Sequence, residues 1–152
     1  MSKIIISDTS CFIVLSKIGQ LEILQQIFNT IVTTPEIADE FGETLPDWVE
    51  LVAVKDRSKQ QLLATQIDKG EASAMALALE IENSWLIIDD YKARKLAKTL
   101  RIDYLGTIGV ILLAKQKGII HAVKPILEKI KTTNFRISAE LEVYVLMEAK
   151  EL

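Results

Sequence analysis

The feature that most constrains the fold is a run of isoleucines ending on an acid: Ile4-Ile5-Ile6-Ser7-Asp8-Thr9-Ser10. Consecutive β-branched apolar residues leave no polar face, so they read as a strand covered on both sides, as inside a parallel sheet. The strand stops at Asp8, and the next helix begins there, with Thr9 or Ser10 available as its N-cap. In open α/β sheets ligands bind at that carboxyl edge. Asp8 is therefore either a helix cap or a site acid delivered to the edge by a buried strand.

The same alternation continues along the chain. Strands are expected at residues 31–33, 49–54, 85–88 and 102–105. Helical patterns fall at 9–17, 21–28, 36–41 (opened by Pro35), 57–67, from 71 through an alanine-dense stretch, and at 91–100 and 108–117. Glycines at 19, 42, 70 and 118 read as breaks. Two more helices are expected at about 121–132 and 138–150, the last with an apolar stripe at Leu141, Val145 and Met147. Strands alternating with helices make a parallel α/β sheet covered by helices. The final helices have no following strand, so they pack on the body or on a partner.

Composition narrows the function. The chain has 152 residues, consistent with one domain, and is 49% hydrophobic and 26% charged, which excludes disorder. Its net charge of −3 excludes a general polyanion-binding surface, so any nucleic-acid contact is local or metal-assisted. The single cysteine, Cys11, lies in an apolar run and reads as core, which suits a reducing compartment. With no signal-peptide pattern and no run near the ~18 apolar residues of a membrane span, the chain is expected to be soluble and cytoplasmic. One histidine and one cysteine exclude a structural zinc site.

Four acids stand out by position. Asp8 and Asp90 end buried strands, Glu40 lies near the end of the helix after Pro35, and Glu71 opens the alanine-rich helix. Singly, each has a plain use: Asp90 caps a helix, Glu71 complements a helix dipole, Glu40 is solvated. Brought together, carboxylates repel one another and some pKa values rise. A hard divalent cation, Mg²⁺ or Mn²⁺, removes that conflict through oxygen ligands and retained waters. Such an ion can activate water and offset charge on a phosphodiester.

These residues fall in an ordered set of motifs: Ile-Ser-Asp-Thr-Ser at 6–10, Pro35-Glu36-Ile37-Ala38-Asp39-Glu40-Phe41, Gly70-Glu71-Ala72 before the alanines, Leu86-Ile87-Ile88-Asp89-Asp90, and Gly106-Thr107-Ile108-Gly109. The set resembles the PIN-domain proteins, the ribonuclease fold of VapC-type toxins, and in particular a subgroup of short prokaryotic members. The resemblance implies a three-layer fold with a parallel five-stranded sheet of order 3-2-1-4-5. It also implies a metal-dependent endoribonuclease using Mg²⁺ or Mn²⁺, the toxin of a toxin–antitoxin pair, with a small antitoxin protein and a homodimer as partners. Asp8 matches the family's first metal-binding aspartate, Glu40 its glutamate, and Asp90 its fourth acid, with Asp89 a rival for that role. Glu71 stands where the family usually has aspartate, which keeps the charge on an arm one methylene longer. Ser10 and Thr107 occupy hydroxyl positions that support the carboxylates. The alternative is a PIN-like module that binds nucleic acid or protein without cutting.

Beside Asp90 lies a basic strip, Lys92, Arg94, Lys95, Lys98 and Arg101, on a helix whose apolar stripe is Ala93, Leu96, Ala97 and Leu100. Lys92, Arg94 and Lys95 are the candidates for RNA-backbone contact, against an ordinary solvated helix surface. His121 is expected to open a helix at the surface, and Trp48 and Trp85 to pack at the core or its edge. Leu141, Val145 and Leu146 on the last helix serve either core packing or a partner.

Overall fold

The computed structural model describes residues 3–152. Its strands are β1 (Ile4–Ser7), β2 (Thr30–Thr33), β3 (Val49–Leu51), β4 (Ser84–Ile87) and β5 (Tyr104–Leu105). They form one parallel sheet in the order β3-β2-β1-β4-β5, as the family resemblance implies. The helices are α1 (Thr9–Lys17), α2 (Ile23–Ile27), α3 (Pro35–Phe41), α4 (Arg57–Leu63), α5 (Lys69–Glu80), α6 (Tyr91–Thr99), α7 (Thr107–Gln116), α8 (Lys124–Ile130) and α9 (Ala139–Glu148). No helix among the described residues is long and apolar enough to cross a membrane.

The isoleucine run does what its composition requires. β1 lies mid-sheet between β2 and β4, and Ile5 and Ile6 are fully buried. Ile6 pairs with Val32 on one side and Leu86 on the other. One residue further, the Asp8 N–H donates to the Ile87 carbonyl at 3.1 Å, so Asp8 leaves the sheet against the end of β4. On one side of the sheet α1, α3, α5 and α4 touch in succession, while α2, α7 and α9 form a second group. The small residues Ala72, Ala74 and Ala76 are solvent-free and let α5 lie close to β1 and β4.

Several boundaries differ from the sequence expectation. The N-cap of α1 is Asp8 itself, whose Oδ1 accepts from the Cys11 N–H at 3.0 Å, not Thr9 or Ser10. Gly70 breaks nothing. Asp68 and Glu71 form a capping box, with Asp68 Oδ1 accepting from Glu71 N–H at 2.8 Å and Glu71 Oε1 from Asp68 N–H at 3.3 Å. That reciprocal cap starts α5 at Lys69 and outweighs the cost of a helical glycine. β3 is an edge strand and ends at Leu51, where its register with β2 runs out at Thr33. α2 and α4 are shorter than expected, and α8 starts at Lys124, leaving His121 exposed ahead of it. On α9 the buried face is Val145 and Leu146, followed by Ala149, and it packs toward α7. Leu141 and Met147 point outward, at 37% and 61% exposure, so the expected stripe is rotated.

Candidate active site

At the carboxyl ends of β1 and β4 two aspartates face each other. Asp8 is 4% exposed; its Oδ1 caps α1 and its Oδ2 accepts from the Asp89 N–H at 3.2 Å. Asp8 is thus both a helix cap and a buried edge acid. Burial first, then the charge of Asp89, pushes its carboxyl well above the usual range, with a smaller push from Glu71; the Cys11 and Asp89 N–H groups act the other way. Asp89 is itself clamped: Oδ1 accepts from the Thr107 N–H at 2.8 Å and Oδ2 from the Thr107 hydroxyl at 2.6 Å. A Cβ at Gly106 would stand 3.0 Å from Asp89 Oδ1, so the absent side chain makes room for this clamp. Thr107 thus holds Asp89 through both its backbone N–H and its hydroxyl.

Glu71 is the second node. Its pKa is raised to about 7, by burial first, then by the charges of Asp68 and Asp90, with a further push from Glu40. Glu40 comes from α3, which is locked onto α5 by the Thr34–Ser73 hydroxyl contact at 2.6 Å and by buried Ile37. Its carboxylate lies over Gly70: a Cβ there would be 3.2 Å from both of its oxygens. Asp90 is exposed and caps α6, its Oδ2 accepting from the Ala93 N–H at 2.9 Å. The acids thus influence one another in a chain, Asp89 and Glu71 acting on Asp8, and Asp90 and Glu40 acting on Glu71.

Sequence reasoning missed Asp68, although the Asp-x-x-Glu spacing was its signal. It also missed Gly106, whose role depends on where Asp89 points. Cys11 is fully buried as expected, and burial followed by the charges of Asp8 and Asp89 pushes its thiol up, so it is no nucleophile. Ser10 lies with Glu40 in the wall of a neighbouring cleft.

On the other flank, Tyr91, Arg94, Lys95, Lys98, Thr99 and Tyr104 line an open cavity of about 700 Å³. The Arg94 guanidinium lies 5.2 Å from the Tyr104 ring centre, a cation–π contact, and a Cβ at Gly106 would lie 3.7 Å from its Nη1, beside Asp89. Lys92 is exposed on α6 but does not line this cavity. Trp48 and Trp85 pack against the core, as expected, and Lys3 stacks its ammonium 5.1 Å over Trp85.

The donors are all carboxylate oxygens, and the raised pKa values of Asp8 and Glu71 come from burial first and then from repulsion among the acids, which a cation would relieve. Among the described residues no three of these side chains stand close enough to hold an ion directly.

A parallel sheet of this order with acids from β1, α3, α5 and β4 gathered at one edge defines an α/β protein with an acidic edge site. Its family is narrower: residues 4–151 match a family model described as PIN domain, and the chain belongs to the PIN-domain family. PIN domains are generally nucleases and typically use divalent metals. No curated protein matches the chain.

Proposed function

We propose that this protein is a metal-dependent endoribonuclease and the toxin of a toxin–antitoxin pair. The observation that carries the reading is the electrostatic linkage of Asp8, Glu71, Glu40 and Asp90 at one sheet edge. In this reading those carboxylates hold Mg²⁺ or Mn²⁺. When bound, the ion supplies an activated water and offsets charge on the scissile phosphate. Thr107 keeps Asp89 fixed, and Asp89 in turn holds Asp8 in place through its backbone N–H. Ser10 stands ready to orient water beside Glu40. Lys92, Arg94 and Lys95 hold the RNA backbone, with Arg94 best placed because its guanidinium lies on the Asp89 side of the cleft. The protein acts in the cytoplasm, dimerises, and is restrained by a small antitoxin protein.

Arg94, Lys95 and Lys98 in the wall of the α6–β5 cavity suit a second reading as well, a PIN module that binds RNA without cutting it. Cleavage of single-stranded RNA with Mg²⁺ or Mn²⁺ separates the two. The nuclease reading predicts cutting by the native chain and a loss of about 10²-fold or more in Asp8→Asn. Equal cutting by both, or none by either with several metals, moves the assignment to the binding module.

A further inference from the structure

Resting on the RNA reading above, a second cleft on the Glu40 flank extends the site. Its walls come from α1, from α3 and from the segment joining α8 to α9. It encloses about 430 Å³ and is lined by Thr9, Ser10, Ile13, Lys17, Glu40, Phe135 and Arg136 among others. Thr9 and Ser10 directly follow Asp8, and Glu40 is one of the edge acids, so the cleft opens from the acidic centre.

Four observations point to its occupant. The volume lies in the range of about 300–1,000 Å³ that encloses small organic ligands, enough for one nucleotide. Lys17 and Arg136 are exposed, and among the described residues neither forms an ion pair, unlike Arg57, Lys59, Lys115 and Lys131. Two unpaired cations beside an acidic centre, in a chain of net charge −3, are a local attraction for a polyanion. Phe135 and Ile13 give the cleft an apolar wall, on which an unstacked base can lie. Thr9, at 7% exposure, also lines it, and its Oγ1 has no hydrogen-bond partner among the described residues. That hydroxyl is unused by the fold.

We propose that this cleft is a nucleotide subsite for single-stranded RNA, Lys17 and Arg136 taking phosphate and Phe135 taking a base. A duplex keeps its bases stacked and cannot offer one to Phe135. The strand then crosses the acids from the Lys17–Arg136 cleft to the Arg94–Lys95 cleft.

The test is anisotropy binding of a fluorescent ten-nucleotide RNA, single-stranded and as a duplex, to the full chain in chelator, over a range of salt. The double variant Lys17→Gln, Arg136→Gln changes only exposed side chains and is checked by its melting temperature. It is expected to bind the single strand about tenfold more weakly, with a salt slope smaller by about 1.4, for two lost phosphate contacts at about 0.7 each. Phe135→Leu, which keeps the apolar volume, is expected to lose about fivefold for the single strand and nothing for the duplex. Unchanged affinity and slope in the double variant, with binding lost in Lys95→Gln, Lys98→Gln, overturns the subsite, leaves the RNA reading standing and assigns the cleft to a protein partner. No RNA binding by the native chain, either in chelator or with Ca²⁺ in its place, overturns both.

Discussion

Burial and the charges of Asp68 and Asp90 act on Glu71 in the same direction, lifting its carboxyl from an ordinary value of 4.5 to about 7. The folded state therefore holds this proton more tightly than the unfolded chain. The resulting stability is complete below pH 4.5 and is lost as the pH rises through about 7. Glu71→Gln removes the charge but keeps an oxygen to accept the Asp68 N–H. In chelator, urea unfolding should show the variant gaining nothing at pH 4 and on the order of 2 kcal/mol above pH 7. A gain of the same size at every pH would assign the effect to packing. The importance of Glu71 was legible from its place after Gly70 and from the family motif. Its neighbour Asp68 was not, because attention to glycine as a breaker hid the reciprocal cap that puts two carboxylates on one turn.

Elements show the same division. The strands and most helices were legible because each had one dominant signal: β-branched runs for β1 and β2, alanine density for α5, Pro35 for α3. α8 had no such signal, since its first turn has no side-chain cap of its own. The cap comes from the chain's far end: Glu151 accepts from the Val123 N–H at 2.7 Å and the Lys124 N–H at 3.0 Å, and pairs with Lys115 at 2.9 Å. Burial alone would raise its pKa, but these donors outweigh it and hold the carboxyl down at about 2. A depressed folded-state pKa contributes stability that is present above 4.5 and lost as the pH falls through about 2. Glu151→Gln should cost about 1–2 kcal/mol at pH 7, with the difference from the native chain closing as the pH falls toward 2 in acid titrations of unfolding. A constant difference down to pH 2 would mean that the amide loses packing and not charge. No local pattern reaches from residue 151 to 123, which is why this cap escaped the sequence reading. The rotated face of α9 escaped for a related reason: Leu141 and Met147 look apolar in sequence, but the buried side of the helix is Val145 and Leu146.

For the whole molecule, the sheet order turns separate motifs into one site. β1 and β4 are neighbours only because the chain crosses from β3 back past the centre, and that crossing delivers Asp89 to Asp8 while α5 carries Gly70 beneath the Glu40 carboxylate, with Glu71 next in sequence. Strand–helix alternation made the parallel sheet legible, and its order was legible through the family resemblance that the spaced motifs carry. The clefts were not, since their walls combine α1 with residues 133–136, and α6 with β5, across long stretches of chain. What unites these features is the claim that the edge acids act as one cation seat. Calorimetric titration of Mn²⁺ into the native chain and Asp8→Asn near pH 6.5 tests it most directly. The account predicts one saturable event in the native chain, releasing protons because Glu71, raised to about 7, still holds much of its proton there, and its loss in the variant. Equal binding by both, or binding that releases no protons, would contradict it.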